Sequence, residues 1–165
     1  MNKKDEHREV LRTKFNKQVS IEHEPVLMVL RAHLLIENFL ERFICLNIVR
    51  GDRLISKNFT FANKLTIVHA LDVVPDSYIQ SINQLNKIRN RFSHNMDSSI
   101  SNSDVDRIGS PLGKPYTKIK HDNPQELDKI IYNILSWVCG YLAGLIYNKE
   151  SSDVEEERHE QESDA

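Results

Sequence analysis

Apolar positions along the 165-residue chain recur every three or four residues in five stretches, the spacing of one face of an α-helix. Residues 5–19 carry it as Val10, Leu11, Phe15 and Val19, with Arg8, Arg12, Lys14 and Lys17 turned toward solvent or a partner. Glu22 to Arg50 is the longest stretch. Pro25 suits its first turn, where a missing N–H costs nothing, and Gly51 reads as its stop. Apolar residues there cover more than half the circumference, which predicts a central, largely buried helix. Arg31 and Glu41 fall at its edge. His33 and Glu37, one turn apart, are either exposed or have one of them directed at what a second long helix presents. Phe59 to Leu71 follows with Phe61, Leu65, Val68 and Leu71 in register and Thr60 as an N-cap. Ser77 to Asn95 repeats the pattern through Ile79, Ile82, Leu85, Ile88 and Phe92, capped by Asp76 or Ser77.

The last periodic stretch, Gln125 to Lys149, has no charged residue between Ile130 and Tyr147. That run just meets the length of a membrane span. Asn133 and Ser136 within it, and the apolar faces elsewhere that need a partner, favour a buried core or dimer-interface helix. Gly140 and Gly144 would then admit a neighbouring backbone. Between the two last helices, residues 95–124 read as a long, irregular, flexible loop, rich in Ser, Gly and Pro. It carries Arg107, Lys114, Lys118 and Lys120, a basic flap expected to meet substrate or to be inert. Five Gly and five Pro in the whole chain, mostly between the periodic stretches, favour an all-α domain over residues 1–149 rather than a turn-rich β fold.

Charge changes this picture at one end. Residues 150–165 hold eight acids against Arg158, a net of −7, and read as an acidic disordered tail. The remaining body holds 21 Lys and Arg against 16 Asp and Glu, a net of +5, so the overall −2 conceals a basic domain suited to phosphate-bearing partners. Cys45 and Cys139 both lie in apolar stretches without CxxC spacing and read as core thiols of a reducing, cytoplasmic compartment. Residues 1–9 do not lead into the apolar run of a signal peptide.

The concentration of chemistry lies at the end of the fourth stretch: Arg89, Asn90, Arg91, Ser93, His94 and Asn95. At about 100° per residue, Asn90 and His94 lie about 40° apart on one face. Arg89 lies about 140° from His94, with a side chain long enough to curl back. An imidazole, an amide and a guanidinium converging at a helix end suit catalysis or anion binding; alternatively, Arg and His complement the dipole of a helix C-terminus. Competing signatures are absent. No Gly-rich phosphate loop precedes a helix, no GxSxG elbow occurs, and neither Cys has a cationic setting. The seven His (His7, His23, His33, His69, His94, His121 and His159) lack metal-ligand spacing, so no metal and no cofactor are expected. Aromatic residues are too sparse for a single-strand stacking platform, and the connection over 72–76 lacks the Gly-containing turn of a helix-turn-helix.

The segment NKIRNRFSHN resembles the hallmark of the HEPN superfamily (higher eukaryotes and prokaryotes nucleotide-binding domain): an Arg, a polar residue and a His a few positions on, here Arg89, Asn90 and His94. RAHLLIENFLERFI and TFANKL are similar to the branch that includes the mannitol-operon repressor-like proteins, so the resemblance spans about residues 25–148. It implies an antiparallel bundle of four to five helices that forms a homodimer, two copies of the motif lining one cleft. It further implies a metal-independent endoribonuclease, of the kind found among toxins and phage-defence effectors, with a cognate antitoxin or regulator as a further partner and no membrane. On that reading Arg89, Asn90 and His94 are catalytic, Lys87 and Arg91 bind RNA, and Glu37 and Ser93 support them from behind. The other reading the resemblance implies is a non-catalytic transcriptional regulator or interaction module.

Overall fold

The computed structural model describes residues 13, 24–57, 59–94 and 99–163, with side chains as far as residue 153 except that of residue 94. The helix expected over residues 5–19 falls outside this description, save residue 13. Among the described residues the chain is all-helical, with seven α-helices and no strand. They are α1 (Pro25–Asn47), α2 (Gly51–Ile55), α3 (Phe61–Ala70), α4 (Asp76–His94), α5 (Asn102–Gly109), α6 (Lys114–Asp122) and α7 (Leu127–Ser163). A 3-10 turn, Ser110–Leu112, joins α5 to α6.

Helix α1 starts at Pro25, as its position in the first turn requires. It buries Met28, Val29, Ala32, His33, Ile36, Leu40, Phe43 and Ile44, one continuous face at helical spacing. The opposite side stays open, with Leu34 58% exposed, so α1 is less enclosed than its apolar circumference suggests. Cys45 is likewise exposed rather than a core thiol, because it is rotated about 100° past Ile44, off the buried face. The stop is also made differently from the simple glycine cap expected. Ile48 takes an extended conformation, Arg50 turns left-handed at φ 67°, and Gly51 opens α2. Gly51 is needed for a close approach: a Cβ there would lie 2.6 Å from the carbonyl oxygen of Ile44.

Helix α3 begins as expected, with the Thr60 hydroxyl accepting from the Asn63 amide at 3.3 Å. Before α4 the carbonyl of Pro75 accepts from the Tyr78 and Ile79 amides. Ile79, Ile82, Leu85 and Ile88 of α4 are buried and Phe92 is half-buried, the pattern read from the sequence. The central helix α7 places Ile131, Ile134, Leu135, Val138, Cys139 and Leu142 in the core and packs most extensively on α1. Burial of Cys139 pushes its thiol pKa up. By length and composition 127–153 could cross a membrane, yet half of its apolar window is buried within the bundle.

The stretch over 95–124 is where the structure departs most from the irregular loop expected. Residues 102–122 fold into α5, the 3-10 turn and α6. Ser101 caps α5 by accepting from the Asp104 amide, while the Asp104 carboxylate accepts from the Ser101 amide, a reciprocal capping box. Val105, Ile108, Leu112 and Tyr116 then bury one face at spacings of three and four. Gly109 lets the Tyr116 ring pack onto α5, since a Cβ there would overlap it. The Tyr116 hydroxyl donates to Asp106, and Lys120 adds a 2.7 Å bond to the same carboxylate, locking α6 onto α5. The backbone of the acidic segment also differs from a disordered tail: α7 continues helically through residue 163.

Candidate functional site

Helix α4 carries the candidate residues at its C-terminal end because its other face is fixed by burial. Ile82, Leu85 and Ile88 point into the bundle, which turns Lys87, Asn90 and Ser93 outward. Arg89, half-buried at the border, folds along its own helix. Its Nη1 donates to Asn90 Oδ1 at 3.3 Å and to Ser93 Oγ at 3.1 Å. Both acceptors are uncharged. Among the described residues, no carboxylate neutralises this guanidinium. The helix C-terminus, where unpaired carbonyls gather partial negative charge, is a favourable place for it.

Arg91 is placed differently. Its Nη1 and Nη2 donate to Asp104 Oδ1 and Oδ2 at 2.9 and 2.8 Å, and Nη2 also reaches the Ser99 carbonyl at 3.3 Å. Asp104 is 2% exposed, and its carboxyl is held well below the usual range by Arg91 first and by the Ser101 bonds in addition. Arg91 therefore fastens the start of α5 to the end of α4, with its guanidinium 5.4 Å from the centroid of the Phe92 ring. Its expected role on RNA competes with this two-pronged pair.

Beneath the motif, α1, α3 and α4 meet in a polar seam. His33 of α1 is 4% exposed, and its Nε2 bonds Asn86 Oδ1 of α4 at 3.0 Å. The His33 ring stacks on Phe61 of α3, with centroids 4.0 Å apart. Of the two residues on α1 that the sequence left open, it is thus His33 that meets the second long helix. Glu37, one turn along, turns to Lys64 of α3 instead. The Lys64 ammonium donates at 2.6 Å to both Glu37 and Glu41. Burial works against that ammonium's charge, but the two carboxylates outweigh it and raise its pKa. Burial lowers the His33 pKa, the Asn86 bond opposes, the nearby Arg89 charge lowers it further and Glu37 raises it.

Arg89, Asn90 and Ser93 are thus joined directly, Lys87 is exposed on the same helix, and Arg91 and Glu37 are engaged in inter-helix pairs. His94 ends α4, and its side chain lies outside the described residues. The sequence reading missed Asn86 as a partner of His33. Its signal was an amide at position 86 inside the buried stripe, between Leu85 and Ile88, where an unpaired polar group would be costly. Among the described residues no group of three or more His, Cys, Asp or Glu is placed to hold a metal ion. An open cavity of about 500 Å³ lies elsewhere, lined by Asn102, Lys120, Pro124, Gln125, Leu127 and Ile130, with no motif residue in its wall. No family model, curated protein or solved structure matches the chain.

Proposed function

We propose that the chain is a metal-independent RNA endonuclease of HEPN type, acting in the cytoplasm as a homodimer with the ends of the two α4 helices facing one another. The observation that carries this reading is the Arg89 guanidinium, held near the helix end by the neutral groups of Asn90 and Ser93, with no carboxylate among the described residues paired to it. A cation kept this way is available to phosphate oxygens, for which a planar guanidinium is geometrically suited. The basic body supplies long-range attraction for a polyanion.

In this reading one His94 accepts the proton of a ribose 2′-hydroxyl as its oxygen attacks the adjacent phosphorus. The bond from phosphorus to the 5′-oxygen breaks, and the partner subunit's His94 donates a proton to that leaving oxygen. The products are a 2′,3′-cyclic phosphate and a 5′-hydroxyl. Arg89 stabilises the charge on the pentacoordinate phosphate, and Asn90 holds Arg89 in place. Lys87 extends the contact along the backbone. The resemblance to HEPN proteins adds to this reading a toxin or defence role, with a cognate antitoxin masking the cleft.

The test is RNA cleavage in EDTA by the wild type and by Arg89→Ala and His94→Ala, with circular dichroism to check the fold. Loss of cleavage in both folded variants supports the assignment. Cleavage that persists in either would overturn it. Partner binding without turnover, unaffected by His94→Ala, would identify a regulator or interaction module instead.

A further inference from the structure

His33 combines features that an ordinary core histidine does not. It is nearly fully buried, its Nε2 is committed to Asn86, and among the described residues its buried Nδ1 meets no protein hydrogen-bond partner. In the neutral Nε2–H tautomer the ring donates to Asn86 Oδ1 and leaves Nδ1 as a bare lone pair. That is the least costly way to bury it, since an unpaired acceptor is cheaper than an unpaired charge. Protonation would add an N–H at Nδ1 with no protein acceptor among the described residues, in the plane of a ring stacked on Phe61.

The charged groups around the ring come from three helices. Glu37 on α1 is the carboxylate that favours a charged imidazole, but it is already held by Lys64 from α3, which also binds Glu41. From α4 come neutral Asn86 and the Arg89 guanidinium, which disfavours a second cation. Arg89 and Asn86 lie one turn apart on α4, so the ring touches the motif helix both through a hydrogen bond and through charge.

We propose that His33 is a proton sensor built into the seam between α1 and the motif helix. Neutral, it ties α1 to α4 through Asn86 and leaves the Arg89 charge uncontested. Protonated, it places a charge in a buried site that is tied to α4 through Asn86, which favours opening of the seam. This inference does not depend on RNA cleavage and is read without RNA.

The sign follows from linkage. A histidine whose folded-state pKa lies below its unfolded value costs nothing above about pH 6.5. Below that value the unfolded chain takes up a proton that the folded chain refuses. Stability is therefore lost as pH falls from about 6.5 toward the folded pKa, by up to about tenfold in the folding equilibrium constant per pH unit.

The experiment pairs histidine side-chain NMR of the full-length chain from pH 8 to 5 with urea denaturation of the wild type and His33→Gln at pH 7.5, 6.5 and 5.5. Glutamine can keep a bond to Asn86 but cannot titrate in this range. The proposal expects the His33 ring to hold the neutral Nε2–H form below the pH at which free histidine protonates. It expects the Arg89 Nε–H resonance to move with the His33 titration, and the pH slope of stability to be shallower in His33→Gln by about one proton. An imidazole that titrates near 6.5, an Arg89 signal indifferent to it, or an unchanged slope would each overturn the proposal. Should His33→Gln fail to fold, the wild-type NMR titration decides alone.

Discussion

The Arg91 guanidinium and the Asp104 carboxylate form a two-pronged hydrogen bond that ties the end of the motif helix to the start of α5. The pair is asymmetric: the Arg91 side chain is 42% exposed, that of Asp104 3%. Removing the Asp104 carboxylate deletes the reciprocal half of the capping box and a buried acceptor, while the Ser101 cap on the residue 104 amide stays and water can still solvate the arginine. We expect Asp104→Ala to cost about 2–4 kcal/mol, from the loss of a buried charged group that accepts from Arg91 and from Ser101. Arg91→Ala should cost less, about 1–2 kcal/mol once solvent screening of its exposed side is included. Urea denaturation at pH 7 measures both.

The same carboxylate gives an acid limb to the stability profile. Its folded-state pKa is depressed, so its contribution is complete above the unfolded value of about 3.9 and is lost as pH falls below that. Denaturation midpoints between pH 5 and 3 should fall more steeply for the wild type than for Arg91→Ala, in which the main cause of the depression is gone.

Lys64 is the buried cation of the α1–α3 contact, with its side chain 8% exposed against 28% and 33% for Glu37 and Glu41. Lys64→Ala leaves two carboxylates facing one another at a half-buried site and should destabilise by about 2–4 kcal/mol. Glu37→Gln should cost less, since Glu41 still compensates the ammonium. Equal losses in the two variants would contradict the bridging role.

The glycines separate by what surrounds them. Gly51→Ala drives a Cβ into the Ile44 carbonyl, so backbone must shift, and a loss of about 1–3 kcal/mol is expected. At Gly140 and Gly144 an added Cβ would meet nothing within 4 Å. The close neighbour anticipated for them is not supplied by the described residues of this chain. Alanine at either should stabilise the isolated chain by about 0.5–1 kcal/mol, the helix-propensity difference. If those positions meet a second copy, the same substitutions will weaken dimerisation, which sedimentation at several concentrations reads directly.

The two thiols should differ in reactivity. Cys45 is exposed and Cys139 is buried with a raised pKa. A disulfide reagent should modify one thiol per native chain and the second only on unfolding.

Much of this was legible beforehand, and the failures have physical reasons. Long amphipathic stretches announced α1, α3, α4 and α7, because many apolar positions in one register leave little ambiguity, and Thr60 and Pro25 marked two starts correctly. Helices α5 and α6 were hidden by Pro111, Gly113 and Pro115, read as breakers. Pro115 lies in the first turn of α6, where proline is tolerated, and Gly113 supplies the positive φ between the two elements. The spacing of Val105, Ile108, Leu112 and Tyr116, after the Ser101–Asp104 capping pair, was the signal that could have revealed them. Within the candidate site, helical spacing placed Asn90 and His94 on one face with Arg89 able to curl back; Arg89 reaches Asn90 and Ser93, and the His94 side chain lies outside the described residues. Whether Arg91 would be free depended on Asp104, thirteen residues away across a turn, and a single helix's periodicity says nothing about such a partner.

The most direct test of the central claim is the chemistry of the RNA ends. Full-length protein incubated with end-labelled single-stranded RNA in EDTA should yield fragments bearing 2′,3′-cyclic phosphates and 5′-hydroxyls, and Arg89→Ala should yield none. Intact RNA with the wild type, 3′-hydroxyl ends, or equal cleavage by Arg89→Ala would contradict it.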